Sequence, residues 1–544
     1  MSTNNIVEIK IDADYATGQL KHEWRYIGYD ECNYTHTPEG EQLIGKFGAL
    51  TDGPYYMRTH HLFCTGNCHG TYKWGSTNVY TEDERGNAVY DWRTIDEILD
   101  VYLRNSVKPF FEIGFMPMDL ADPRFAPDGR GFSDYHAYRE IGWACPPKDY
   151  EKWSALVREV VEHCLDRYGS AEVDSWYWEL WNEPDIFYWR GSVEEYCKLY
   201  DFTEAALHEV LPGARLAGPA TCGPTPGNHG YIFLSKFLEH CSRGQNYVTG
   251  AVGTRLDFVT IHVKGGGFPF RINAAKATPS VQRLVAQVKL GLELIRSFGF
   301  GDREIVLSEA DPDGWAAGGR FDNANMNFRN TEYYASYVAA SYQQIRDLGD
   351  SLNMDVRPLA WAFMFVAERC FEGTRTFSTQ GIDKAVFNLF RLFSRLGDRR
   401  YRFESSHSTD VNKLSQVISE QASVEVAGLA CRGETETLQV LVHSHHDDWD
   451  RNDALQVRVQ IESLRKSAKF RIRHFRIDAE HSNAYAEWVR QGSPAYPDAE
   501  KWRAISGRSG LDELEPFDVV STDEGDISFE FPTTAHAVSL FEID

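Results

Sequence analysis

The chain has 544 residues, a formal net charge of −24, 42% apolar residues and 25% charged ones. That length buries a large core and suits two domains, while the acidic balance argues against nucleic acid or an anionic membrane surface as partner. No apolar run reaches membrane-spanning length, the first ten residues lack the basic and apolar regions of a signal peptide, and ten cysteines scattered through so long a chain suit a reduced, cytoplasmic protein.

In chain order, Ile6 to Ile11 alternates apolar and polar residues and reads as a half-exposed strand completed by a sheet elsewhere. An alternation of strands and helices follows. Strands are expected at Arg25–Asp30, Tyr55–Phe63, Pro109–Pro117, Trp176–Trp181, Arg215–Ala220, Leu256–Val263, Glu304–Ala310 and Leu359–Val366. Helices are expected at Trp92–Asn105, Lys148–Tyr168, Val193–Val210, Ser280–Phe298 and Thr331–Leu348, and a long Pro- and Gly-bearing loop at Ala121–Pro147. Eight strands alternating with helices give the count of an α/β fold of the (β/α)8 TIM barrel type. An open doubly wound sheet is the alternative, but no Gly-rich phosphate loop follows the first strand.

Beyond Arg400 helical periodicity gives way to short alternating segments at Leu438–His443, Gln456–Ile461, Phe470–Ile477, Ile527–Phe531 and His536–Ile543. The expected organisation is a barrel over residues 15–400 and a C-terminal β-sandwich over 401–544, joined by a strand from residues 1–14.

The chemistry centres on Trp176-Tyr-Trp-Glu-Leu-Trp-Asn-Glu-Pro-Asp185. Its aromatics suit a buried strand, and Pro184 stops that strand just after Glu183. A lone glutamate there reads as an ordinary strand-end ion pair. A second carboxylate strand, Glu304-Ile-Val-Leu-Ser-Glu-Ala310, changes the reading, because Glu183 and Glu309 then end strands four and seven at one mouth of the barrel. Two carboxyl groups facing each other across a cleft are what glycoside hydrolysis requires. Arg58, on strand two, is a cationic neighbour for a carboxylate that must stay ionised. Asn182 is placed to hydrogen-bond a sugar 2-OH, and His60 and His262 end strands two and six within reach of ring hydroxyls. The enclosed aromatic setting of Glu183 predicts a raised pKa, as a general acid needs. His60, His61, Cys64, Cys68 and His69 have spacing that a metal could use, but no second Cys pair completes it, so no metal and no cofactor are expected. Gly265-Gly-Gly267 reads as a flexible turn rather than a phosphate loop.

Trp181-Asn-Glu-Pro184 and Ser308-Glu-Ala310 resemble the glycoside hydrolases whose catalytic glutamates end strands four and seven. Phe111-Glu-Ile-Gly-Phe-Met-Pro117, His474-Phe-Arg-Ile-Asp-Ala-Glu-His-Ser-Asn-Ala-Tyr485 and Gly492-Ser-Pro494 narrow the resemblance to glycoside hydrolase family 39, from about residue 25 to the carboxyl end. That family holds bacterial β-xylosidases and α-L-iduronidases. The resemblance implies that Glu183 is the general acid/base, Glu309 the nucleophile, Trp361 a sugar platform and Glu368 a hydroxyl acceptor. Two positions depart from the β-xylosidase pattern: Lys264 stands where a Tyr is expected, and Glu368 is followed by Arg369 rather than a second Glu. Arg58-Thr-His-His-Leu-Phe63, the stretch from Gly253 to Gly265 and Glu309-Ala-Asp-Pro-Asp-Gly-Trp315 are similar to the α-L-iduronidase branch, whose equivalent lysine sits by the substrate carboxylate. Lys264 also reads as a solvated loop lysine or as half of an ion pair with an Asp. The expected activity is a retaining exo-glycosidase releasing β-D-xylose from short oligosaccharides. A uronate-releasing hydrolase is one alternative, and a carbohydrate-binding protein without catalysis is another. The only partner implied is a small oligosaccharide. A homo-oligomer is left open.

Overall fold

The computed structural model describes residues 6–71, 73–125, 142–266, 279–314, 319–321, 323–362, 368–373, 376–414, 421 and 423–544. Two sheets of nine strands organise them. The first is parallel, running in the order 215–217, 177–180, 108–113, 56–60, 26–31, 356–361, 304–311, 258–264 and 219–221. Its two end strands are successive pieces of one segment, Arg215–Ala217 and Pro219–Thr221, interrupted only at Gly218. The sheet therefore returns to where it began, as a barrel-like layer rather than an open one.

The eight expected strands and five expected helices are present, with ends shifted by a few residues. Strand four is Tyr177–Leu180 and strand eight is Val356–Trp361; residues 363–366 of the expected eighth strand lie outside the described residues, as do Gly267 and residues 126–141 of the long loop. In the first sheet's layer, helices Pro38–Gly48, Ser170–Val173, His229–Arg243 and Ala385–Phe393 were not foreseen. Helix starts follow local chemistry. Asp149 caps Tyr150–Tyr168, Ser192 and Glu195 form a reciprocal capping box at Val193–Val210, and Thr331 caps Glu332–Leu352. No helix among the described residues is long and apolar enough to cross a membrane.

Period-two alternation stacks the barrel interior in layers. Tyr26, Tyr56, Phe110, Tyr177 and Phe258 form an aromatic floor, joined by stacked and edge-on contacts with centroids 4.8–5.9 Å apart. Two residues further along the same strands come Gly28, Arg58, Glu112 and Glu179, a charged layer with no exposure for the three side chains. Gly28 is required by the packing: a Cβ there would lie 2.4 Å from the Trp361 ring. The next step reaches the carboxyl mouth.

The second sheet runs 512–520, 469–477, 537–543, 438–445, 425–432, 399–405, 6–19, 454–462 and 527–534. The amino-terminal strand Ile6–Gln19 pairs antiparallel with Arg399–Ser405 and parallel with Ala454–Glu462. Alternate residues, among them Val7, Ile9, Ile11, Val457, Val459, Phe529 and Phe541, meet in an apolar core separate from that of the barrel. Short helices at Ala484–Arg490 and Ala499–Ser506 interrupt a region in which little helix was expected. Helix Glu332–Leu352 carries the seam between the layers: Ser336 Oγ meets His445 Nδ1 at 2.9 Å, and Gln344 donates to Glu425 at 2.8 Å.

Candidate active site

Glu183 leaves the end of strand four on a turn in which Trp181 and Glu183 take positive φ, 70° and 43°. The Glu183 backbone N–H donates to Ala220 O at 3.0 Å, tying the turn to the neighbouring strand. Strand seven reaches the same place by a register shift. Ile261 pairs with Leu307, but His262 pairs with Glu309, so one extra residue of strand seven is accommodated at Ser308. Bulges of this kind re-aim side chains, and here the result sets Glu309 beside His262.

His262 Nδ1 lies 2.9 Å from Glu183 Oε1 and 3.7 Å from Glu309 Oε1. One oxygen of each carboxyl group and a ring nitrogen of His262 fall within 4.8 Å of one another. Lys264 Nζ is 2.6 Å from Glu309 Oε2 and 2.6 Å from Asp311 Oδ2. Arg58 is fully buried, with Nε 2.6 Å from Glu179, one terminal nitrogen 3.0 Å from Glu112 and the other 3.7 Å from Glu309. It also donates to Asn182 Oδ1 at 3.0 Å, fixing that amide at the cavity wall. His60 Nδ1 meets Glu112 at 2.6 Å, while its Nε2 faces Asp30 and Glu309 at 3.6 and 3.7 Å.

The cavity at this mouth, about 330 Å³, is lined by Asp30, His60, Lys73, Asn182, Glu183, Tyr188, Lys264, Glu309 and Gly314. Of the sequence-derived candidates, Asn182, His60, His262, Lys264, Glu183 and Glu309 thus converge, with Arg58 directly beneath them. Trp361 is fully buried: its ring lies 5.3 Å from His60, Arg58 stands over it at 5.8 Å, and its indole N–H points to Asp30 at 3.4 Å. It braces those residues rather than lining the cavity. Glu368 also stays outside the lining, accepting from Gly373 N–H at 2.9 Å; burial pushes its carboxyl up to about 7 against the pull of Lys384. Residues that sequence reasoning missed are Glu112 and Glu179 inside the barrel, Asp30 paired with Lys73 at the rim, and Asp311 beside Lys264. Acidic residues at inward positions of otherwise apolar strands were the available signal.

The electrostatics separate the two glutamates in degree rather than direction. Burial pushes the Glu309 carboxyl up, but His262, Lys264, His60 and Arg58 together hold it well below the usual carboxylate range. Burial also pushes Glu183 up; the His262 hydrogen bond and charge outweigh this, and Glu183 too sits below its ordinary value, with Glu309 acting to raise it. The expectation that an aromatic enclosure raises Glu183 is thus corrected. The enclosing group that matters is a histidine at hydrogen-bond distance. Burial, Glu112 and Glu309 set His60, whose pKa is raised to about 9 because the two carboxylates outweigh desolvation.

Glu183, His262 and Glu309 are also the one trio among the described residues spaced to hold an ion. A cation entering there would compete with the Lys264 ammonium already on Glu309. His61 meets Cys64 at 3.3 Å, and burial pushes the Cys64 thiol up, away from the thiolate a metal would need.

A parallel barrel with two facing carboxylates at its carboxyl mouth is the arrangement of a glycoside hydrolase. The model for glycosyl hydrolases family 39 matches residues 7–509. A β-xylosidase from Caldicellulosiruptor saccharolyticus is 25% identical over 85% of this chain and 85% of its own, and the human α-L-iduronidase is 23% identical over 91% of this chain and 72% of its own. The solved structure of a bacterial orthologue of human α-L-iduronidase superposes with a TM-score of 0.77 at 22% identity, covering 99% of this chain and 83% of that one. The chain belongs to glycosyl hydrolase family 39.

Proposed function

We propose that the protein is a retaining exo-glycosidase that removes a terminal β-D-xylosyl unit from short oligosaccharides. The observation that carries the reading is the approach of Glu183 and Glu309 oxygens to within 4.8 Å across His262. Retaining enzymes hold their carboxyl groups about 5–5.5 Å apart, whereas inverting ones need roughly 6.5–9.5 Å to admit a water. In the first step the Glu309 carboxylate attacks the anomeric carbon while Glu183 gives its proton to the departing oxygen, leaving a glycosyl ester on Glu309. In the second, Glu183 takes a proton from water, whose oxygen displaces the ester. Glu183 and His262 Nδ1 lie 2.9 Å apart, a contact across which a proton can pass to the Glu183 carboxyl. Forming the ester removes the negative charge of Glu309, and with it the influence that raises Glu183, so the Glu183 pKa falls further and the residue stands as a carboxylate able to take the proton of the attacking water.

Asn182, with its carbonyl fixed by Arg58, is the group we assign to the 2-OH. We assign the barrel to residues 15–400 and a β-sandwich to 401–544 together with residues 1–14, with strands Ile6–Gln19 and Arg399–Ser405 of the second sheet running a few residues across those boundaries. The ten free cysteines support a reducing compartment.

A second reading, an α-L-iduronide substrate, is favoured by Lys264 lining the cavity. Against it, Lys264 already lies 2.6 Å from two carboxylates, so its charge is answered from within the protein. Initial rates on an aryl β-D-xyloside beside an aryl α-L-iduronide, for wild type, Lys264→Ala and Glu309→Gln, decide the matter. The expected result is turnover of the xyloside, abolished by Glu309→Gln. Preference for the iduronide, lost with Lys264, would replace the first reading by the second. Turnover unaffected by Glu309→Gln would remove both.

A further inference from the structure

Glu112 and Glu179 stand opposite each other on neighbouring barrel strands, and both are fully buried. Arg58 answers one of them through its Nε, 2.6 Å from Glu179. One guanidinium does not balance two buried carboxylates, and a buried charge persists only when it is paired. The second cation is His60, whose Nδ1 lies 2.6 Å from Glu112 Oε2. That same oxygen is 3.0 Å from a terminal nitrogen of Arg58. A guanidinium only donates, so this oxygen is an acceptor, and the proton of the short contact belongs to Nδ1. Burial lowers the His60 pKa, but Glu112 and then Glu309 outweigh it and raise it to about 9, in keeping with a ring protonated on both nitrogens.

The far edge of His60 meets the reacting carboxylate. Its Nε2 is 3.7 Å from Glu309 Oε1. The other terminal nitrogen of Arg58 and Nδ1 of His262 stand at the same distance from the same oxygen, while Lys264 takes Oε2 at 2.6 Å. Three nitrogens thus surround Oε1 at more than hydrogen-bond length, and its sister oxygen is tied. The rings of Phe115 and Trp361 pack against His60 with centroids 5.9 and 5.3 Å away. They confine the plane of the imidazole, and Glu112 sets which edge points to Glu309.

We propose that Glu112 is a positioning residue for the reaction: by accepting the Nδ1–H of His60, it turns the Nε2–H edge of that ring onto Oε1 of Glu309, the oxygen that bonds to the sugar. The proposal rests on reading Glu309 as the nucleophile. Its route is His60 and not Arg58. Without Glu112, Arg58 keeps Glu179 and Asn182 as acceptors, whereas Nδ1 of His60 loses the carboxylate on it.

The test follows the His60 Nδ1 proton by NMR in protein labelled with 15N-histidine, beside kcat/KM on an aryl β-D-xyloside. It compares wild type, Glu112→Gln, His60→Gln, the double variant and Glu179→Gln. A proton in so short a bond to a carboxylate resonates far downfield. It is expected in wild type, absent in His60→Gln, moved upfield in Glu112→Gln and unmoved in Glu179→Gln, which disturbs Arg58 instead. Glu112→Gln should lower kcat/KM by about ten- to hundredfold, the worth of one charge-assisted hydrogen bond, and should cost nothing further where His60 is already glutamine. Equal losses in both backgrounds, or a resonance that Glu112→Gln leaves in place, would overturn the proposal, as would a wild type without the downfield proton. Where Glu112→Gln does not fold, Glu112→Asp, which keeps the charge and shortens the reach, takes its place with the same expectations. A wild type inactive on the xyloside would remove the substrate reading instead, and the resonance would still decide whether Glu112 sets His60.

Discussion

Lys264 Nζ stands 2.6 Å from Glu309 Oε2, and the same nitrogen is 2.6 Å from Asp311 Oδ2. Glu309 and Asp311 are two apart on strand seven and so share a face, while Lys264 ends the adjacent strand six in register with Asp311. The lysine bridges the two carboxylates. It fixes the rotamer of Glu309 and, with three other cationic or hydrogen-bonding neighbours, keeps it ionised.

Lys264→Met should therefore raise the pKa of Glu309 towards its ordinary value. A nucleophile with a raised pKa is lost to protonation sooner as pH falls, so the acid limb of the kcat/KM profile moves to higher pH. The loss of one charge-assisted hydrogen bond corresponds to about a ten- to hundredfold fall in kcat/KM on the acid side. An acid limb that stays in place would show that Lys264 does not tune the nucleophile.

Glu183→Gln keeps the His262 contact in outline but supplies no proton to the departing oxygen. Hydrolysis of substrates with poor leaving groups should fall by about 10²- to 10⁴-fold, the usual worth of a general acid. Substrates with strongly acidic phenol leaving groups should lose far less in forming the glycosyl ester, and added azide should restore turnover by attacking that ester without needing a base. Rate loss independent of the leaving group would assign Glu183 a purely structural part.

Arg58 is the cation of the barrel interior, shared by Glu112, Glu179 and the amide of Asn182. Arg58→Met removes it while leaving two fully buried carboxylates behind. Breaking a buried pair in this way costs about 3–5 kcal/mol, and thermal unfolding should show a lower melting temperature as well as weakened sugar binding through Asn182. A melting temperature equal to wild type would mean that the two glutamates find other partners.

The sequence made the barrel legible because hydrophobic period and turn chemistry agreed along it: Pro184 ends strand four, Gly169 closes the helix before it, and Ser192 starts the helix after it. Glu183 and Glu309 were visible as carboxylates at two such strand ends. Glu112 and Glu179 were in plain view within strands three and four, yet their shared partner Arg58 is fixed by inter-strand register, which a single strand does not encode. The bulge that sets His262 against Glu309 is equally silent in the sequence, since Leu307-Ser308-Glu309 reads as uninterrupted strand. The lowered pKa of Glu183 depends on a distance: His262 could be read as a residue of the same mouth, but its approach to 2.9 Å from Glu183 could not. Helices Ala484–Arg490 and Ala499–Ser506 escaped because, at two turns or so, they carry too little periodicity to outweigh the strands around them.

Glu425 offers a test at the seam between the two sheets. Its carboxylate oxygens accept from Gln344 at 2.8 Å and from the Thr409 backbone N–H at 3.1 Å, and burial pushes its pKa up to about 7 despite both bonds. A carboxyl raised in the folded state binds its proton more tightly there than in the unfolded chain. Its contribution therefore favours folding at low pH and is lost as pH climbs from the unfolded value, about 4.3, through 7. Glu425→Gln removes the ionisation, and a turn of the Gln344 amide, whose Oε1 has no hydrogen-bond partner, supplies an acceptor for the new N–H₂. The variant should match wild type in melting temperature near pH 5 and exceed it near pH 8. An equal difference at both pH values would mean that packing, and not the buried charge, sets the stability of this seam.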